Sequence, residues 1–313
     1  MKFKLKLIGF GFLALIIIVV NQSTGSEVDN FTIKRIGSYG DGNGQFNVPH
    51  SLVFDDDGNM YITDTNNNRV QKLSPDGKFI SKWGSKGTGD GQFLGPEGID
   101  VDSFGNIYVA DTGNSRIQKF SPDGKFISKW GSKGAGDGQF SGHAHGVVID
   151  FLDSVYVTDR SNHNIQKFTS DGKFLVKWGY EGSGNGQFDE PHSSAIDETG
   201  NVYVSDMNNR RIQKFSPDGK FIAKWGSNGT GDGQFLLPLG LDFDSHNNIH
   251  VIDRSAGRVQ EFSSDGSFIA QTLISKTDVE KSTPILEDIE FDKFDKEYLT
   301  DRGNHNIIAI LKQ

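Results

Sequence analysis

An aspartate returns six times along this chain at almost constant spacing: Asp64, Asp111, Asp159, Asp206, Asp253 and Asp301, at intervals of 47, 48, 47, 47 and 48 residues. The flanking sequence returns with it. One unit reads PEGIDVDSFGNIYVADTGNSRIQKFSPDGKFISKWGSKGAGDGQF, from Pro96 to Phe140. A fixed period of this length, made of short runs rich in Ile, Val, Tyr and Phe between Gly, Asp and Asn turns, marks a stacked or radial β-repeat array.

Four strands are expected per unit, in the second unit at about Gly98–Asp102, Asn106–Ala110, Arg116–Ser121 and Lys125–Gly131. Alternation such as Ile-Tyr-Val-Ala fits a pleated strand. Ser103-Phe104-Gly105 and Pro122-Asp123-Gly124 supply tight turns between the first and last pairs. Such a four-stranded meander is too small to stand alone, and six of them around an axis bury one another's faces. The expected fold class is therefore all-β, a six-bladed β-propeller over residues 31–313.

The chain ends suggest how the ring closes. The sixth unit stops at Asn306-Ile307-Ile308-Ala309-Ile310-Leu311, which matches a third strand, and Phe31–Gly40 resembles the missing fourth. An N-terminal strand in the last blade would remove an exposed edge. Trp83, Trp130, Trp178 and Trp225 fall on fourth strands and are expected to pack between blades, with Tyr39 at the same position.

Pro-x-Gly-Ile, Gly-Asn-Ile-Tyr-Val, Asp-Thr-x-Asn-x-Arg-Ile-Gln-Lys-Phe and Gly-Lys-Phe-Ile, in that order, resemble the NHL repeat, whose arrays form propellers. The resemblance covers about residues 31 to 313. It implies the fold and leaves function open, because this repeat serves lyases, RNA-binding regulators, sensor ectodomains and ligase adaptors.

Residues 1–30 read as a leader. Lys2, Lys4 and Lys6 precede an apolar run from Leu7 to Val20, the pattern of a secretory signal. The run is shorter than the roughly 20 residues that span a bilayer, and no A-x-A site follows, so a cleaved leader and an uncleaved membrane anchor both remain. Either places the propeller outside the cytoplasm, secreted or tethered. A net charge of −9 argues against nucleic acid as a partner. The chain has no cysteine, and 313 residues with a repeated core need no disulfide. A monomer is expected.

Strand direction sorts the connections onto two faces. The Asp-Gly turns share one. The second-to-third loops on the other carry Arg69, Arg116, Arg160, Arg210, Arg211, Arg254, Arg258 and Arg302. Of these, Arg69, Arg116, Arg160, Arg211, Arg258 and Arg302 are the expected face for a protein, peptide or glycan ligand, the repeated Asp and Arg serving otherwise as loop braces.

A second site suggests itself at the start of the innermost strands. Five residues before the aspartate that ends each first strand stand His50, Glu97, His145, His192, Leu239 and Glu287. In a propeller these ring the channel mouth, where three imidazoles and two carboxylates suit zinc or another divalent metal. His143 lies close by in sequence. The segment Gly44–Leu52 resembles the amidating lyase propeller of peptidylglycine processing enzymes, whose channel histidines hold zinc. That resemblance implies metal-ligand roles for His50 and, through its Pro-His context, His192, while His145 is placed by repeat register alone. The lyase's loop tyrosine and its disulfides have no counterpart here. Two functions are thus open: a ligand-binding or scaffold module working through the arginine face, or a metal-dependent lyase or hydrolase at the channel mouth.

Overall fold

The computed structural model describes residues 15–18, 30–274 and 283–312. Six antiparallel sheets surround a central axis, five of them built from four consecutive strands in the order first to fourth and the sixth from the last three strands together with N-terminal ones. In blade 2 these are Pro96–Val101, Ile107–Asp111, Arg116–Phe120 and Phe126–Trp130, within two residues of the expected bounds at each end. Blade 1 begins at Pro49–Phe54, blade 3 at Ala144–Ile149, blade 4 at Pro191–Ile196, blade 5 at Pro238–Phe243 and blade 6 at Leu286–Phe291. First strands of neighbouring blades lie side by side, and that of blade 6 meets that of blade 1.

In blade 6 the outer place is taken by Asn30–Ile36, which pairs antiparallel with Asn306–Lys312 so that Ile33 faces Ile310 and Ile36 faces Ile307. The backbone of Leu15–Ile18 adds a further strand beside it. The rest of the leader lies outside the described residues. Among the described residues no helix is long and apolar enough to cross a membrane.

The core sits between blades. Trp130 of one blade meets Phe168 of the next with ring centroids 5.9 Å apart, and Trp83, Trp178 and Trp225 repeat the contact with Phe120, Phe215 and Phe262. A turn glycine of the following blade covers each indole. At Gly124, with φ +81, a Cβ would stand 2.7 Å from the Trp83 ring, so both backbone conformation and space demand glycine. Tyr39 does not occupy the tryptophan position. It is exposed beyond the strand end, and Ile36 packs against Gly77 in that role, because Gly37 and not Gly40 is the counterpart of Gly131: Tyr39 bridges to Phe46 as Lys133 does to Phe140.

The repeated aspartate is the hub of each blade. Asp111 is sealed from solvent and accepts from Arg116 Nε at 2.7 Å, Asn114 Nδ2 at 2.8 Å and Gln118 Nε2 at 3.0 Å. Arg116 spends its remaining donors on the carbonyls of Thr88, Gly89 and Gln92, which fold the Gly-rich loop entering the blade. Buried carboxylate, guanidinium and loop carbonyls therefore satisfy one another.

Candidate functional site at the channel mouth

Every first strand breaks its pairing register between its first residue and the fourth or, in blade 3, the third, as between Pro49 and Leu52. Such a bulge re-aims a side chain, and here the second residue of the first strand stands at the channel mouth in every blade but the fifth, where it is Leu239. Threonines of neighbouring second strands hold the bulges: Thr300 Oγ1 donates to the His50 carbonyl at 2.8 Å, and Thr63 Oγ1 to that of Glu97 at 2.6 Å.

This register brings His50, His145 and His192 together, all buried, each with a ring nitrogen within 4.8 Å of the others'. The rings of His145 and His192 are 4.0 Å apart. Nδ1 of His50 and of His192 are buried without a hydrogen-bond partner among the described residues, an arrangement that leaves donor atoms for a ligand to satisfy. Burial, then the neighbouring imidazoles and Arg160, hold His145 well below the usual histidine range. Burial likewise lowers His192 to about 4, against the pull of Glu287. Both rings are neutral at pH 7, the form that coordinates metal.

Two carboxylates flank the ring. Glu97 Oε2 lies 3.7 Å from His145 Nε2 and accepts from Thr112 Oγ1 at 3.2 Å. Glu287 Oε2 lies 3.4 Å from His192 Nε2 while Oε1 accepts from Arg254 at 2.5 Å and Arg302 at 2.6 Å. Burial alone would raise Glu287, but the hydrogen bond to His192 and the surrounding positive charges hold it well below the carboxylate range. At the sixth position Leu239 joins the apolar core of blades 5 and 6. His143 stays on the rim, bonded to Ser161 Oγ at 2.6 Å and exposed.

The arginine face needs correction. Arg69, Arg116, Arg211 and Arg258 are buried, each reaching its repeat aspartate and loop carbonyls. They stand five residues after the aspartate, a position inside the blade and closed to any partner. Arg160, Arg254 and Arg302 stand one residue after it and reach the channel rim, Arg160 pairing with Glu190 at 2.5 Å. The spacing of one residue against five is plain in the repeat, but that it separates rim from interior is not.

Below the histidines the channel opens into a cavity of 220 Å³ whose lining includes Asp100, Asp242, Asp288 and Glu290. Burial pushes Asp100 and Asp242 up to about 7 and Asp288 to about 6, and raises Glu290 as well. Asp100 Oδ2 accepts from the Ile149 backbone N–H at 2.6 Å and Asp288 Oδ2 from Ser51 Oγ at 2.6 Å. These acids latch one blade to the next. Their signal was acid in strands otherwise apolar, at Asp100, Asp242 and Glu290 in one register.

The NHL repeat profile matches residues 46–73, 93–120 and 142–168, and a profile described as a 6-bladed beta-propeller matches 198–280. The chain is an NHL-repeat propeller. Solved structures agree on the fold. A virginiamycin B lyase from Staphylococcus aureus is 12% identical, with 90% of this chain and 100% of that one covered at a TM-score of 0.66. A gluconolactonase from Xanthomonas campestris is 14% identical over 96% and 99%, at 0.66. A protein of unknown function from Bacteroides thetaiotaomicron is 17% identical over 90% and 76%, at 0.67. At such identities the likeness of this NHL-repeat propeller to them is one of fold.

Proposed function

We propose that this propeller holds a divalent metal, zinc being the best fit, on His50, His145 and His192, and acts at that centre as a lyase or hydrolase on a small substrate bearing an anionic group. One observation carries the reading: three buried imidazoles converge within 4.8 Å, and two of them have a nitrogen left unpartnered. Nitrogens on a tetrahedral zinc lie about 3.4 Å apart at the usual bond length, so the ring closes on an ion through small side-chain rotations. Bound there with an open fourth position, the metal supplies a Lewis acid for a substrate oxygen.

The chain's own groups furnish the remainder. Glu287 restrains His192 and is itself held by Arg254 and Arg302, so this corner keeps an excess of positive charge. That excess favours an anionic substrate group at the rim. Glu97, partly exposed beside His145, is the carboxylate best placed to exchange a proton with a substrate at the mouth. Its Thr112 hydrogen bond fixes its direction. A virginiamycin B lyase of similar fold was solved as a catalytically inactive histidine-to-alanine variant with quinupristin, which supports a histidine-dependent centre in this architecture. The lysine-led apolar leader supports an extracytoplasmic setting.

The test is zinc analysis and titration of protein stripped with a chelator and reloaded. One tight equivalent lost on histidine substitution supports the reading, and none overturns it. A second reading, a module binding a protein, peptide or glycan at the same face, is favoured by the partial exposure of Arg160 and Arg302, whose side chains are 33% and 40% accessible. Ligand capture that persists in metal-free protein and disappears on charge reversal of both would select it.

A further inference from the structure

A second constellation lies on the opposite face. At the far end of four blades, the aspartate that follows the first strand, a second-strand tyrosine and a third-strand lysine form a closed set. In blade 1 Tyr61 Oη donates to Asp55 at 3.2 Å, and Lys72 Nζ lies 3.1 Å from the same carboxylate and 4.6 Å from the tyrosine ring centroid. Tyrosine and lysine are cross-strand partners, as are Tyr108 and Lys119, Tyr156 and Lys167, and Tyr203 and Lys214. Each carboxylate is thereby neutralised by an ammonium. Blade 6 has Ala309 opposite Tyr298 and draws on Lys296, 3.8 Å from Asp292.

Blade 5 breaks the rule at both positions together. The tyrosine is replaced by His250 and the lysine opposite by Glu261, beside the retained Asp244. The neutral set becomes one with two negative charges, and among the described residues neither carboxylate has a lysine or arginine partner. One ligand atom from each of the three lies within 4.8 Å of the others. Asp244 Oδ1 is fixed by the N–H groups of His246 and Asn248 at 3.0 and 2.8 Å, while Oδ2 faces His250 Nε2 at 3.3 Å. Asn248 Nδ2 holds Glu261 Oε1 at 3.0 Å, and Phe291 packs on the imidazole at 4.7 Å. Asp244 and Glu261 are only half-buried, so an ion reaches them from solvent.

We propose that Asp244, His250 and Glu261 form a divalent transition-metal site, separate from the channel ring, in which the ion takes the place of the missing ammonium. One imidazole and two carboxylates suit Zn²⁺ or Mn²⁺ better than Ca²⁺ or Mg²⁺, which prefer all-oxygen sites. The site joins all three inner strands of blade 5, so its role is to tie that blade together.

The experiment compares zinc titrations of chelator-stripped wild type and the double variant His250→Tyr/Glu261→Lys, which restores the residues of four other blades. The expected result is one equivalent fewer in the double variant, whatever the channel ring binds, and a zinc-dependent rise in Tm that shrinks with it. Identical stoichiometry would overturn the proposal. So would a permanently charged His250 imidazole, seen by NMR at neutral pH in zinc-saturated protein, because it would neutralise the acids as a proton bridge. If the double variant folds poorly, Glu261→Gln serves instead: an affinity at this site at least about tenfold lower supports the proposal, and unchanged affinity overturns it.

Discussion

Arg116 Nε meets Asp111 Oδ2 at 2.7 Å with the aspartate wholly enclosed and the arginine nearly so. Removing one partner of a buried pair leaves an uncompensated charge, at a cost of about 3–5 kcal/mol. Arg116→Ala should lower the unfolding free energy by that order in urea titrations. Arg160→Ala, at a partly exposed pair, should cost under about 1 kcal/mol. Equal losses would mean that register relative to the aspartate does not separate brace from rim.

The channel ring makes a sharper demand. His50→Ala should lower zinc affinity at the mouth by at least about a hundredfold. His163→Ala should leave it unchanged, since His163 Nδ1 is occupied by the Glu190 backbone N–H at 3.1 Å. Isothermal titration distinguishes convergence from histidine content.

Burial raises Asp100 from an ordinary 3.8 to about 7 in the folded state. Its stabilising contribution is therefore complete below pH 3.8 and is lost as pH climbs through 7. Asp100→Asn should stabilise the protein at pH 8 by about 2–4 kcal/mol relative to wild type, with little gain at pH 4. His192 runs the opposite way, its contribution present above pH 6.5 and lost as pH falls through about 4. Denaturant titrations at pH 4, 6 and 8 read both slopes. A variant whose advantage does not grow with pH would contradict the assignment for Asp100.

Deleting residues 1–40 removes the strand Asn30–Ile36 and bares the edge of Asn306–Lys312. Exposed edges template intermolecular pairing. The truncated chain should melt over a broader range and scatter light on warming, whereas a melt like that of the longer protein would show that the strand contributes nothing to closure.

The period of the aspartates and the turn glycines made the blades legible in sequence, because each repeat states its strand lengths in the same words. Convergence of His50, His145 and His192 was legible for the same reason: one register position faces one axis. Burial of Arg69 and its cognates was not, since a loop-end arginine looks like a surface residue until its acceptors are placed. Those acceptors are carbonyls of a Gly-rich loop some 24 to 28 residues upstream. Nor did the repeat announce the acids of the channel, which appear in only some blades and take their meaning from neighbours across a blade boundary. The exchange of Tyr and Lys for His250 and Glu261 was visible in sequence, but only pairing shows that the two changes face each other.

The pairing of Phe31 with Lys312 sets an order of assembly on the ribosome. The first strand of the ring to be made is completed only by the last, 281 residues later in the chain. At bacterial or eukaryotic elongation rates that wait is roughly 15 to 60 s. Through that interval the nascent propeller is an open arc with two unsealed ends, and the segment destined to close it is the one longest exposed to chaperones and proteases.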